Sequence, residues 1–324
     1  MSQSNLAVQQ PEGEPTPLQA QPREVDKSSP ASGISVPKLG RQKERSPELQ
    51  AEVERIGLIE PFVGLQRDED LFTNLNHWSD LHICARIITM DRLGLVKSLK
   101  FYTQSQTKRR SGLLVTPAPV AYVEIEQNGS PTNLLLSILE FLVNPIDCGN
   151  LRQLRSRTWG TLKAYKVKIL IVNNADLLSY AAFNELMRIT EKLKISVVLG
   201  GSPCLNEILD PKALKKGKYI NIHNTFLKWQ PYSILSYDDI KTVITEWEKS
   251  LNWPQPLNLW TNTEIVKKLD TTSQGQLRAL YENLREIAVW KLDNPKAQIN
   301  SKNISKALSN GYHPISKLQN STVS

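Results

Sequence analysis

Four short apolar runs, separated by stretches of helical periodicity, constrain this chain more than any other feature. They are Ile83–Ile88, Val120–Ile125, Lys168–Val172 and Ile195–Gly201. Each is nearly continuous in apolar residues and too short for a typical helix. That is how a strand buried on both faces reads. Between them, apolar residues recur at helical spacing over 65–78, 95–102, 151–165 and 183–193. Another helix opens at Ser130-Pro131 and carries Leu134, Leu135, Ile138, Leu139 and Leu142. The alternation predicts an α/β fold, a parallel sheet flanked by helices.

Upstream, Ser46 as N-cap and Pro47 in the first turn predict a helix over 48–56. After residue 205 the pattern changes. A short helix is expected over 205–209 and the last strand over 220–227. Helices over 238–251, 262–269, 274–292 and 303–310 then form an all-helical module. The expected division is a disordered Pro/Gln/Ser-rich tail over 1–46, an α/β domain over 47–232, a helical lid over 233–312 and a flexible tail over 313–324.

Charge and cysteine usage narrow the function classes. A formal net charge of +8 and a pI near 9.2 favour a polyanionic partner; a merely solubilising surface is the alternative. Cys84, Cys148 and Cys204 form no C-x-x-C pair, and His77, His82, His223 and His313 are scattered. Neither a disulfide framework nor a metal site is expected. No signal pattern and no apolar run of membrane-spanning length is present, so the expectation is a cytoplasmic protein without a membrane partner. The tryptophans from Trp159 to Trp290 are read as packing residues.

The motifs carry a resemblance. The strand Lys168-Ile169-Leu170-Ile171-Val172 runs into Asn173-Asn174-Ala175-Asp176-Leu177-Leu178, and Ile195–Leu199 into Gly200-Gly201-Ser202-Pro203. Helical segments Asp238–Glu248 and Ser273–Ala288 follow. In order and spacing, over roughly residues 58–312, the chain resembles the TniB/TnsC-like, MuB-related AAA+ ATPase regulators of DNA transposition. The resemblance implies an AAA+ P-loop-like sheet with a C-terminal helical lid, and assembly on double-stranded DNA as a homo- or hetero-oligomer. It also implies transposition proteins as partners: an active AAA+ relative, a transposase or a target-selection protein.

Against that pattern the nucleotide machinery is substituted. A phosphate loop needs glycines, a Lys for the β/γ-phosphates and a Ser/Thr for magnesium. In Thr89-Met90-Asp91-Arg92-Leu93-Gly94-Leu95-Val96, Thr89 replaces the first glycine and Gly94 alone survives. Leu95 stands for the Lys and Val96 for the Ser/Thr. Asn173 stands for the magnesium-holding Asp and Asn174 for the water-activating Glu; neither amide can act as a base. Ser202 ends the sensor strand. No arginine occurs between Arg188 and Arg278; the stretch near a trans arginine finger offers Lys212, Lys215, Lys216 and Lys218. Ala279, next to Arg278, takes the lid's sensing position. No catalytic residue and no cofactor are therefore expected, with ATP and magnesium binding lost or weak.

DNA-contact candidates are Lys108, Arg109 and Arg110, then Arg152, Arg155 and Arg157 on one helix. The strand-end segment Glu124–Asn128 is acidic and opposes a simple carry-over. Three readings follow: a non-hydrolysing transposition adaptor, a weak ATPase using Lys97 and Asp176, and an interaction scaffold with no DNA role.

Overall fold

The computed structural model describes residues 45–106, 117–126, 129–142, 149–210 and 217–308. Lys108, Arg109, Arg110 and nearly all of both expected tails lie outside the described residues. In chain order the elements are α1 (Pro47–Gly57), α2 (Gln66–Leu81), β1 (Ala85–Thr89), α3 (Arg92–Gln106), β2 (Val120–Glu124), α4 (Pro131–Leu142), α5 (Leu151–Ala164), β3 (Ile169–Asn173), α6 (Tyr180–Leu193), β4 (Ser196–Gly201), α7 (Cys204–Leu209), α8 (Ile220–Thr225), β5 (Lys228–Tyr232), α9 (Tyr237–Leu251), α10 (Thr263–Ser273), α11 (Leu277–Asp293) and α12 (Ser301–Ala307).

The five strands form one parallel sheet in the order β2-β3-β4-β1-β5. Every residue of β1, β3 and β4 is buried, as their largely apolar sequences suggest, and Arg86, Thr89, Asn173 and Ser196 are the buried polar exceptions. Ile87, Ile171 and Val198 pack on one face with Leu71 of α2 and Leu95 and Leu99 of α3. Leu170, Val172 and Leu199 pack on the other with Leu135, Phe183, Leu205 and Phe226. The connection after β1 thus leaves on one face and that after β4 on the other. Their strands are neighbours, so the C-terminal ends of β1 and β4 form a switch point, the usual ligand crevice of such sheets.

One expected element is corrected. Of residues 220–227, read as the last strand, Ile220–Thr225 form helix α8 instead, with Phe226 as its C-cap. Ile222 and Phe226 are one turn apart and both fully buried. Burial of each stabilises by roughly 1.5–3 kcal/mol. That outweighs the few tenths that β-branched residues lose in a helix, roughly 0.5 kcal/mol each. The true last strand, β5, escaped notice because Lys228 and Trp229 are exposed and Pro231 interrupts it. Proline is tolerated there because β5 is an edge strand.

The C-terminal helices close around Trp247, Ile265, Tyr281 and Leu284. Helix α1, capped by Ser46 as its sequence predicts, buries Ile56 in this cluster. Between α10 and α11 the chain turns through Gln274 and Gly275, both at positive φ. A Cβ on Gly275 would lie 2.8 Å from the Leu235 carbonyl, so glycine is required. This turn brings the start of α11 onto the start of α3.

Candidate functional site

The crevice at the ends of β1, β3 and β4 holds most of the residues singled out from the sequence. The helix read over 95–102 starts three residues earlier than its sequence spacing suggested. Helix α3 begins at Arg92, directly after the strand and two connecting residues. Asp91 explains the early start. Its carbonyl accepts from Leu95 N at 3.1 Å and its Oδ1 accepts from Gly94 N at 3.2 Å, an N-cap arrangement. The Asp91 amide in turn donates to Thr89 Oγ1 at 2.9 Å, and Thr89 Oγ1 donates to the Tyr232 carbonyl on β5 at 3.0 Å.

The Asp91 carboxylate is 1% exposed and well provided with donors. Besides Gly94 N, Oδ1 accepts from Leu277 N of α11 at 3.1 Å. Oδ2 pairs with Arg67 Nη2 at 2.9 Å. Arg67 also donates to the Ser233 carbonyl and lies 4.5 Å over the Tyr232 ring. A carboxylate thus occupies the positive end of α3, where backbone amides and the helix dipole favour an anion. It ties α3, α2 and the helical module together. Gly94, the surviving glycine of the motif, has a local reason to be there: a Cβ would lie 2.2 Å from Asp91 Oδ2.

A second clamp lies alongside. Lys97 Nζ donates to the Glu60 carbonyl at 2.8 Å and pairs with its carboxylate at 3.2 Å. Arg285 of α11 pairs with the same carboxylate at 2.7 Å. Burial pushes the Glu60 carboxyl up, but Arg285 and Lys97 together hold it below the usual range. Tyr281 and Trp247 donate to the Pro61 and Ile59 carbonyls. The space left among Phe62, Arg67, Lys97, Tyr232, Leu277 and Tyr281 is about 10 Å³. That is about the room one water needs, roughly 10–15 Å³.

Leu95 is buried against the sheet and Val96 partly so. Asn173, 3% exposed, donates weakly to Tyr122 Oη at 3.4 Å. Asn174 accepts from Arg92 Nη2 at 2.7 Å and donates to the Ile125 carbonyl at 3.2 Å, so it bridges α3 and the end of β2. Ser202 donates to Asp176 Oδ2 at 3.2 Å, while Asp176 Oδ1 is buried without a partner. Ala279 is buried, Arg278 exposed, and Lys218 lies over the rings of Tyr180 and Tyr219.

The basic helix α5 separates into two kinds of arginine. Arg155 turns inward and forks onto Glu185, at 2.8 and 2.7 Å. Arg152 and Arg157 are exposed. A cleft of about 640 Å³ opens at β2, but it is lined by Glu124, Glu126 and Glu140 and does not suit phosphate. Trp247 is core, as expected; Trp229 and Trp260 are 56% and 40% exposed. Arg67, Glu60 and the Leu277 amide were not legible as site groups. Each acts across a long sequence separation, and no local motif marks them.

The AAA domain family matches residues 92–209. No curated protein matches the chain in sequence. Among solved structures, the Drosophila ORC bound to DNA is similar with a TM-score of 0.52 and 13% identity, over 90% of this chain and 74% of that one. Strand order, helices on both faces and the C-terminal helical module make this architecture the AAA+ P-loop fold.

Proposed function

We propose that this chain is an adaptor of a DNA-transposition system, built on the AAA+ fold and working without ATP hydrolysis. It bridges double-stranded DNA and transposition proteins: an active AAA+ relative, a transposase or a target selector. The observation that carries this reading is the buried Asp91 carboxylate at the N-terminus of α3, held by Arg67 and two backbone amides. By this reading the anion slot is filled from within. A triphosphate at the N-terminus of α3 would meet the charge of Asp91. Leu95 and Val96 bring neither charge nor magnesium ligand. Asn173 and Asn174 cannot hold a metal by charge or act as a base. ATP and magnesium do not fit these residues.

The DNA arm of the proposal rests on different support. The chain carries a net charge of +8, and the solved neighbour is a DNA-bound assembly. Arg152 and Arg157, with Lys108, Arg109 and Arg110, are the proposed phosphate contacts; Arg155 is committed to Glu185. Two assays test the reading. Calorimetry with ATP and magnesium should give no saturable heat, and phosphate release should equal the protein-free blank. Multiple turnover that Lys97→Ala abolishes would establish the weak-ATPase reading instead. A labelled duplex should bind at about 50 mM salt and weaken steeply by about 200 mM. Absence of binding at the lower salt would leave the scaffold reading.

A further inference from the structure

Arg86 sits in the middle of β1 and is only 5% exposed. It is paired in register with Leu199 of β4 and Trp229 of β5, so the three side chains leave the sheet on one face. That is the face of Leu205 and Phe226, opposite to α3. The other inward-turned arginines have carboxylate partners: Arg67 has Asp91 and Arg155 has Glu185. Arg86 has none among the described residues. Its Nε is sealed from solvent without a hydrogen-bond partner, and burial is the one influence on its charge. The residue keeps 5% of its surface open to solvent.

A guanidinium desolvated without an anion is costly, and its planar fork matches a carboxylate or phosphate through two parallel bonds. The surroundings choose between these. Trp229, directly beside it, is 56% exposed, and Leu227, just before β5, is 57% exposed. An exposed tryptophan beside a recessed arginine is a pairing enriched in protein-binding hot spots. A DNA backbone would cover this apolar surface without gaining contacts from it.

We propose that Arg86 anchors an aspartate or glutamate side chain of a partner protein, whose neighbouring apolar residues cover Trp229 and Leu227. The surface lies on the sheet face opposite to α3, and the proposal holds whether or not the crevice at the strand ends is silent.

The test reads the Arg86 Nε–Hε signal in the ¹⁵N spectrum of the full chain, assigned by its loss in Arg86→Lys. The probes are sodium acetate, a peptide of alternating Glu and Leu, the same peptide with Gln for Glu, inorganic phosphate and duplex DNA. Acetate and the Glu peptide should shift the signal saturably, and the Gln peptide should bind at least about ten-fold more weakly. Trp229→Ala should weaken the peptide and leave acetate unchanged. No response to either carboxylate overturns the proposal. So does a response to phosphate and duplex DNA without one to the Glu peptide, which assigns the site to nucleic acid. The titration itself is read on the unmodified side chain, and an unchanged pattern of the other amide signals in Arg86→Lys shows that the variant used for assignment is folded.

Discussion

Two buried charges five residues apart are treated in opposite ways. Asp91 is 1% exposed and has a guanidinium and two backbone amides. Arg86 is 5% exposed and has no carboxylate among the described residues. Folded proteins pair nearly all buried polar groups, so a fully satisfied charge reads as structure and an unsatisfied one as a place prepared for something else. At the end of β1, where this fold normally receives a ligand, the Asp91 charge is completed from within. The β5 edge, where the sequence had no motif to offer, is the incomplete region.

The largest effect should come from breaking the completed side. Asp91→Ala leaves Arg67 buried without its partner and strands the Gly94 and Leu277 amides. Losing one partner of a buried pair costs about 3–5 kcal/mol. Urea unfolding should show that loss, and added formate should recover part of it by entering the vacated slot. A loss below about 1 kcal/mol, typical of surface pairs, would mean that Asp91 is not a structural anion.

Gly94→Ala tests the same corner from the other side. Alanine favours a helix over glycine by about 1 kcal/mol, so an unconstrained position would gain stability. Here the new Cβ would press on the Asp91 carboxylate at 2.2 Å, with Arg67 Nη2 at 2.7 Å behind it. Overpacking of that kind costs roughly 1–3 kcal/mol, so the net change should be a loss. A gain in thermal midpoint would show that the carboxylate moves aside easily, and that the glycine has another role.

Glu185 provides a conventional reference. It is 3% exposed and receives Arg155 and Arg188. Burial pushes its carboxyl up, but the bonds and charges of the two arginines push it further down, to below the usual range. A folded value below the unfolded one adds stability that is complete above the unfolded glutamate value, about 4.3, and disappears as pH falls through the folded value. Glu185→Gln should therefore cost about 1–2 kcal/mol at neutral pH, held down because Arg188 is half in solvent. The difference from the parent should vanish in acid. An equal loss at every pH would make the role one of packing.

Much of the fold was legible because it is written locally. The apolar runs gave β1 to β4 within a residue or two, and Ser46, Ser179 and Asn150 cap their helices as short polar residues do. What escaped was set by tertiary contact. Helix α8 is helical because Ile222 and Phe226 find the core, and β5 is a strand because β1 offers it a free edge. At the candidate site, Asp91, Gly94, Asn173 and Asn174 could be picked out from their spacing. Their meaning could not, because it depends on Arg67 and the Leu277 amide. Gly94, read as the remnant of a phosphate loop, is also the close neighbour of a buried carboxylate.

The smallest expected effect sharpens the comparison most. Arg86→Met keeps an unbranched apolar stem and removes the guanidinium, a charge that no described carboxylate balances. Methionine is also at home in an apolar gap beside Leu199. If Arg86 served the fold, its removal would cost the few kcal/mol seen at Asp91. If it is held for a partner, the variant should be as stable as the parent or more so, by about 1 kcal/mol, as when buried ion pairs give way to apolar residues. Thermal and urea unfolding measure the change directly. A variant of equal or greater stability that no longer binds the Glu–Leu peptide would separate the two charges by purpose. Asp91 would complete the molecule, and Arg86 would be kept at some cost to it. A marked loss of stability would remove that distinction and return Arg86 to the core.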